Sequence, residues 1–139
     1  MIDYAIRTRL LAVSAVADLI GGTATPRIYP IRLPQDPKFP AITYQIISGQ
    51  PEYDLEGARG LADTRIQIDC WARAGETTDG YDSARDLAEA VRGALSGYSG
   101  TVGSDVIQEC FLAGRRTSYE ADAEIYRESL DFAIGYTET

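Results

Sequence analysis

Hydrophobic side chains recur at helical spacing over the first twenty residues of the chain. They step by three or four positions and form one stripe: Ile2, Ile6, Leu10, Val13, Ala17 and Ile20. This spacing places apolar groups on one face of an α-helix. Gly21 and Gly22 follow at once, and glycine readily takes the left-handed conformation that ends a helix. We therefore predict one amphipathic helix that runs up to this glycine pair.

A second stripe with the same spacing marks the clearest helix of the chain. Its members are Tyr81, Ala84, Ala88, Val91, Leu95 and Tyr98. Thr78 precedes the stripe and is a candidate N-cap. The opposite side is charged, and Arg85 and Glu89 stand four positions apart, a spacing typical of exposed ion pairs. We predict a helix with one buried and one solvent-exposed face.

Four segments alternate between apolar and polar residues, as half-buried strands do. They are residues 41–48, 63–73, 104–114 and 124–136. In the second segment Trp71 falls on the polar side. The element order is helix, extended segment, two strands, helix, two strands, which favours an antiparallel sheet with both helices on one face. We therefore predict a single α+β domain over residues 1–139, with a sheet of about four strands.

Two stretches interrupt this pattern. All six prolines of the chain lie between residues 26 and 51. Proline fixes φ and pushes the preceding residue towards extended conformations, so we expect residues 26–40 to form an extended arm outside the sheet interior. Residues 49–62 are polar and too numerous for a tight turn. We predict a long loop there, between the first two strands.

The charge and the cysteines of the chain limit its partners. The formal net charge is −8, which opposes general attraction to phosphate backbones and anionic membranes. No window approaches the roughly 18 consecutive apolar residues of a membrane span, and we expect neither membrane association nor an export signal. Cys70 and Cys110 lack the CxxC spacing of a zinc site. We expect them to be buried, reduced thiols.

Candidate catalytic groups are sparse. The chain contains no histidine, which is the most common general base in enzymes. Asp54 with Glu56, and Asp122 with Glu124, have a spacing that would suit paired acid-base carboxylates. Each pair falls in a predicted loop or at the start of a strand, so we interpret both as solvated charges. We predict no enzymatic activity, no cofactor and no bound metal.

Four motifs follow one another along the chain in a recognisable order. They are RIYPIRLPQDPKFPAITYQIISG at 27–49, RIQIDCWAR at 65–73, DSARDLAEAVRGAL at 82–95 and YRESLDFAIGY at 126–136. Together they resemble the small tail-completion proteins of long-tailed bacteriophages, whose relatives occur in prophages and gene-transfer particles. The resemblance covers almost the whole chain, although residues 50–62 and 98–123 match no motif of the family.

The resemblance implies a structural virion protein of the tail that is assembled in the cytoplasm of a bacterial host. Such proteins look like tail terminators, which are α+β subunits that close into a ring, typically a hexamer, at the head-proximal end of the tail tube. The ring ends polymerisation of the tube and provides the head-tail joining surface. The implied partners are further copies of the chain, the tail tube protein and a neck or head connector protein. DNA would pass through without specific binding.

On this interpretation, contacts come from the two irregular segments and from the lone tryptophan. The candidate interface residues are Pro30, Leu33, Pro34, Pro37, Pro40, Tyr53, Asp54, Leu55, Glu56, Arg59, Leu61 and Trp71. Three alternatives remain open at this stage. They are another neck or head-completion connector subunit, a monomeric binding module, and a small hydrolase that uses its carboxylates.

Overall fold

The computed structural model describes residues 2–54, 57–73, 80–103 and 105–138, with side chains throughout except at 48–62 and 138. The elements in chain order are α1 (Ile2–Ala12), α2 (Ser14–Ala17), a 3₁₀ turn (Asp18–Ile20), β1 (Ile28–Pro30), β2 (Ala41–Asp54), β3 (Gly57–Arg73), α3 (Gly80–Leu95), β4 (Gly100–Val102), β5 (Asp105–Glu120) and β6 (Ile125–Glu138). The α+β class is as predicted, and the four long strands fall on the segments where alternation predicts them, although β5 continues past the predicted end at residue 114 to Glu120.

The strands form one six-stranded sheet in the order β1-β2-β3-β6-β5-β4. β1 runs parallel to β2, and every other neighbouring pair is antiparallel. The expectation of about four strands is therefore too low by two edge strands. β1 and β4 have three residues each, and so short a strand leaves no alternating pattern in the sequence.

The predicted N-terminal helix is broken at Val13. This residue is extended, with φ −99° and ψ 113°, and it stands at the N-cap of the four-residue helix α2. Its half-buried side chain packs against the core. A β-branched side chain fits an extended backbone better than a helical one. The periodicity continues across the break, and the helical segment ends as predicted at Gly21, whose φ is 98°.

The hydrophobic core lies between the helices and one face of the sheet. β3 contributes Ile66 and Ile68 on the side that alternation predicts, and α3 contributes Leu87 and Val91 to the same cluster. All four side chains are fully buried. Burial of one such side chain stabilises the fold by roughly 1.5–3 kcal/mol. The helices therefore fix which face of the sheet is covered, and no helix of the described residues covers the other face.

The two cysteines are buried free thiols on the core side, as predicted. β6 runs between their strands, with Glu128 opposite Cys70 and Ile134 opposite Cys110. Those β6 positions lie about 20 Å apart, at about 3.3 Å per residue. A disulfide requires Cα atoms within about 7 Å. The two thiols cannot form a disulfide within this fold.

The prediction of a long loop over residues 49–62 is wrong for the part of this segment that the structure describes. β2 and β3 stay paired there, from Gly49 opposite Thr64 to Asp54 opposite Gly57. Because the sequence is polar in this stretch, it lacks the one-sided alternation that reveals a half-buried strand. The segment is an antiparallel hairpin, and residues 55 and 56 lie outside the described residues.

The proline-rich segment is not the extended arm predicted from its prolines. Ile28–Pro30 forms the edge strand β1, whereas residues 31–40 bend repeatedly and have positive φ at Ile31 and Asp36. The physical reason is topological: β1 and β2 are adjacent and parallel, so the chain between them must travel back along the sheet. We call residues 31–40 the return loop.

Candidate assembly surfaces

The sheet face opposite the helices, here called the open face, carries mostly polar side chains. Asp69 lies between Thr43 and Ser129 on the neighbouring strands. The amide nitrogen of Gln67 is 3.0 Å from both carboxylate oxygens of Asp69 and donates to them. The alternation of β3 predicts that these polar side chains share one face. Their hydrogen bonds with one another make most of the described open face a polar surface.

Two atoms of the open face are buried without a hydrogen-bond partner among the described residues. They are Ser129 Oγ and Asp131 Oδ1. The guanidinium of Arg116 lies 3.7 Å from the other Asp131 oxygen. A buried polar atom without a partner costs roughly 1–3 kcal/mol.

Trp71 is held on the open face by its own chain. Its indole Nε1 donates to Thr43 Oγ1 at 2.8 Å, and the guanidinium of Arg127 lies 5.2 Å from the ring centroid. The half-buried ring packs beside a small apolar cluster that includes Phe39 and Ile125. The indole N–H and part of the ring surface of Trp71 are thus used in contacts within the subunit, and the rest of the half-buried ring is accessible.

The return loop brings three predicted contact residues to this corner of the open face. Leu33 packs against the same cluster as Trp71, while Pro37 and Pro40 are half-buried. Pro30 and Pro34 are exposed at its start. The loop is therefore anchored on its own sheet at one side and presents prolines to the outside at the other.

Ile31 is a contact candidate that sequence reasoning missed. Its side chain is 71% exposed although it is large and apolar. Its φ is +70°, a conformation that β-branched residues strongly avoid. The backbone N–H of Ile31 donates to Tyr44 O at 2.8 Å, which holds the strained conformation in place. No pattern in the sequence predicts a positive φ at an isoleucine.

The remaining predicted contact residues belong to the other end of β2. Tyr53 and Asp54 lie in β2, and Arg59 and Leu61 lie in β3; their side chains, and Leu55 and Glu56 altogether, are outside the described part of the chain. The last pairing of β3 with β6 is Leu61 opposite Thr137. The described residues 53–54 and 57–60 therefore extend past this last pair, and we call them the protruding hairpin. The structure does not bring this group together with the return loop.

An exposed aromatic cluster lies where α3 begins. The ring centroids of Tyr119 and Tyr126 are 4.6 Å apart, and those of Tyr81 and Tyr126 are 5.8 Å apart. Arg85 Nη1 lies 3.0 Å from the hydroxyl oxygen of Tyr81 and donates to it. The sequence pattern places Tyr81 in the core stripe of α3, but its side chain is exposed. Tyr119 and Tyr126 are paired across the turn between β5 and β6, but Tyr81 is distant from both in the sequence, so no local signal reveals the whole cluster.

A second polar cluster, on the helix side of the sheet, was also missed. Arg115 Nε donates to Glu128 Oε2 at 2.7 Å, and Arg115 Nη1 donates to Glu89 Oε2 at 2.5 Å. Thr117 Oγ1 also donates to Glu128, whose side chain is only 2% exposed. The cluster joins α3 to β5 and β6. Its members are saturated with partners from the same chain, and its role is to fix the helix on the sheet.

Groups suited to catalysis or metal binding do not converge in the described residues. Asp122 and Glu124 are exposed in the turn between β5 and β6. Within residues 2–54, 57–73, 80–103 and 105–138 no three His, Cys, Asp or Glu side chains could hold one metal ion. Of the helices described, none is both long and apolar enough to cross a membrane.

Comparison with known proteins gives the family. The model of the tail completion protein gp17 family matches residues 4–137, and the chain belongs to this family. The recognition from sequence motifs is thereby confirmed, and the chain is a structural protein of a phage-type tail. No curated protein matches the chain.

The fold also occurs in a solved virion. A chain in the structure described as the virion of a native gene transfer agent particle superposes with a TM-score of 0.72. The two chains share 20% sequence identity over 97% of this chain and 93% of the other. At this identity the likeness establishes a shared fold.

Proposed function

We propose that the chain is a tail terminator, which forms a ring, typically a hexamer, at the head-proximal end of the tail tube. The family match over residues 4–137 carries this proposal. The ring would end polymerisation of the tube and give the neck of the filled head a surface to join. The exposed prolines of the return loop and the protruding hairpin support an assembling role, because both extend beyond the packed core.

The partners in this proposal are other copies of the chain, the tail tube protein and a neck or head connector protein. Assembly would take place in the cytoplasm of the bacterial host. DNA would pass through the ring without specific binding, because a net charge of −8 per chain repels the phosphate backbone at a distance. A tight, salt-dependent complex of the assembled ring with double-stranded DNA would contradict this part of the proposal.

The candidate contact residues divide into two proposed contacts. The return loop, with Ile31 and Pro34 exposed, follows the exposed Pro30 of β1; it lies beside β1 and β2 and is suited to a lateral contact within the ring. The protruding hairpin, which holds Tyr53 and Arg59, lies at the far end of β2 and β3 and is suited to an axial contact with the tube.

Multi-angle light scattering with negative-stain electron microscopy tests the ring. We expect closed rings with a mass of about 91 kDa, six times the 15.1 kDa of one chain. Binding to purified tails and to purified heads distinguishes a terminator from a head-completion connector. A terminator co-sediments with tails that have never met a head. Exclusive binding to heads would contradict the terminator and identify a connector.

A further inference from the structure

We propose that neighbouring copies join by pairing the open edge of β2 in one copy with the open edge of β5 in the next, so that one sheet continues around the ring. This inference rests on the proposed ring and adds the surface that closes it. The partner is a second copy of this chain, bound head to tail, because the two edges belong to opposite sides of one sheet.

Each long outer strand is covered over only part of its length. β1 pairs with β2 between Ile42 and Tyr44, and β4 pairs with β5 between Asp105 and Ile107. Within the described residues no strand pairs with the outer edge of β2 over residues 46–54, nor with that of β5 over 112–120. An open edge is a template for pairing with another chain, and the register shifts in β2 and β5 interrupt these two edges only locally.

The backbone groups that point outwards on β5 follow from one hydrogen bond. Gly97 N donates to Cys110 O at 2.7 Å, so Cys110 directs its backbone groups away from β6. Successive residues of a strand alternate in this direction. Because β5 has a bulge after Leu112, the alternation is followed through the β6 residues that pair with it. On this count the next residues whose backbone groups point away from β6 are Arg115, Thr117 and Tyr119.

The same reasoning gives the outward positions of β2. Ile42 N donates to Arg27 O at 2.9 Å, so Ile42 directs its backbone groups away from β3. Counting through the β3 partners gives Ile46, Gly49 and Pro51 as the next outward positions past Tyr44. Pro51 has no N–H and offers only its carbonyl to a neighbouring strand, so Ile46 and Gly49 supply the outward N–H groups of this edge.

The directions of the two edges are complementary. β2 and β3 are antiparallel, as are β3 and β6, and β6 and β5, so β2 and β5 run in opposite directions. When a second copy is placed beside the first in the same orientation, its β2 edge is antiparallel to the β5 edge that it meets. The helices of all copies then lie on one side, and the polar open face lies on the other.

The open stretches are also offset along the strands. Arg116 is the middle of the open β5 edge. The residue pairs that link β5 through β6 and β3 to β2 place it level with Thr43, whereas the middle of the open β2 edge is near Gly49. The offset is about 20 Å at about 3.3 Å per residue, and four long strands at about 4.8 Å are about 19 Å wide. This ratio corresponds to a strand tilt of about 45°, at the upper end of the roughly 35–45° found in closed barrels. A closed ring needs this stagger, and a flat, level sheet would lack it.

Proline variants of the two edges test the inference, with alanine variants as matched controls. The proline variants Tyr119→Pro and Ile46→Pro each remove a backbone N–H that points away from the sheet. The alanine variants Tyr119→Ala and Ile46→Ala remove the same side chains but keep this N–H. We expect the alanine variants to form rings of wild-type mass, and each proline variant to be a monomer with unchanged circular dichroism. A one-to-one mixture of the proline variants should give a heterodimer, because one intact β2 edge and one intact β5 edge remain.

Each contrary result has a distinct meaning. Rings formed by both proline variants would overturn the edge pairing and leave the ring intact. A homodimer of Tyr119→Pro, or a mixture that stays monomeric, would overturn the head-to-tail arrangement. A wild-type chain that remains monomeric at every concentration would contradict the proposed ring itself.

Disulfide trapping covers the case in which a proline variant fails to fold. Ile46→Cys is combined in turn with Arg115→Cys, Thr117→Cys and Tyr119→Cys, and Asp86→Cys on the exposed side of α3 replaces the β5 cysteine as control. We expect one β5 position to give a covalent ladder up to the ring on oxidation, with at least a tenfold lower yield in the control. Assembled rings without a cross-link at any of the three positions would overturn the inference.

Discussion

Arg115 and Arg116 are neighbours in the chain but lie on opposite faces of the sheet. Arg115 points towards α3 and bonds to Glu128 and Glu89, whereas Arg116 lies on the open face with 58% of its side chain exposed. The Glu128 side chain is 2% exposed and accepts a hydrogen bond from Arg115. One arginine is therefore structural, and the other is available on the surface.

This difference predicts unequal effects of the same substitution. Arg115→Ala leaves a buried carboxylate without its partner and should lower the free energy of unfolding by about 3 kcal/mol. Arg116→Ala removes an exposed, long ion pair and should cost less than about 1 kcal/mol. Urea denaturation followed by circular dichroism measures both. Equal losses, or no recovery when Glu128→Gln is added to Arg115→Ala, would contradict the assigned role of the buried pair.

The contact between Arg115 and Glu89 predicts a pH dependence. The hydrogen bond from Arg115 lowers the pKa of the exposed Glu89 carboxyl below its ordinary value. A carboxylate with a lowered pKa in the folded state stabilises the fold above its unfolded pKa, and this contribution is lost as the pH falls through the folded pKa. Glu89→Gln should therefore destabilise the protein at pH 7.

The difference between Glu89→Gln and wild type should shrink as the pH falls below about 4.3, the usual pKa of glutamate. Urea midpoints between pH 7 and pH 3 measure it. Asp86→Asn, which removes another exposed carboxylate from α3, serves as the matched control. A difference that grows towards acid pH would contradict the assignment.

The two thiols predict an unreactive native state. Burial raises the pKa of Cys110 to about 12 and raises that of Cys70 as well, and only the thiolate is nucleophilic. We expect no labelling by a maleimide at pH 8 in the native state, and labelling of both thiols in urea. Asp86→Cys provides an exposed reference thiol. Native labelling of either buried cysteine at the rate of the reference would show that the core opens.

The backbone strain at Ile31 predicts that replacing this residue stabilises the subunit but reduces the apolar area available for a contact between subunits. A left-handed conformation costs a non-glycine residue roughly 1–2 kcal/mol, so Ile31→Gly should raise the free energy of unfolding by up to about 1 kcal/mol. If the exposed side chain takes part in a lateral contact, the same variant should form rings at a higher concentration. Ile31→Ala, which removes most of the apolar side chain but still has to adopt the positive φ, separates relief of strain from loss of the apolar contact. Unchanged assembly of both variants would exclude Ile31 from the interface.

The sequence predicts elements best where one face is buried. Ile66 and Ile68 alternate with polar residues because β3 has a covered and an open face, and the periodicity of α3 survives for the same reason. The hairpin described over residues 49–54 and 57–62 has no such contrast, and its pairing comes from backbone hydrogen bonds between β2 and β3. The return loop was missed because proline predicts local extension and carries no information about the parallel pairing of β1 and β2.

A β-bulge also decides on which side of the sheet a side chain lies, and alternation along the sequence does not reveal it. The register shift between Leu112 and Gly114 inserts one residue in β5. A bulge of this kind moves every later side chain to the other face. Without it, Arg115 would share the open face with Phe111. The polar cluster around Glu128 was therefore outside the reach of sequence reasoning.

Electron microscopy of particles made without this chain tests the central claim most directly. The measured quantity is the length distribution of the tail tubes, in a producer that lacks the chain and in one complemented with the wild-type protein. The terminator account predicts tubes of uncontrolled length without attached heads, and restoration of uniform, head-bearing tails on complementation. Uniform tails joined to filled heads in the absence of the chain would contradict it.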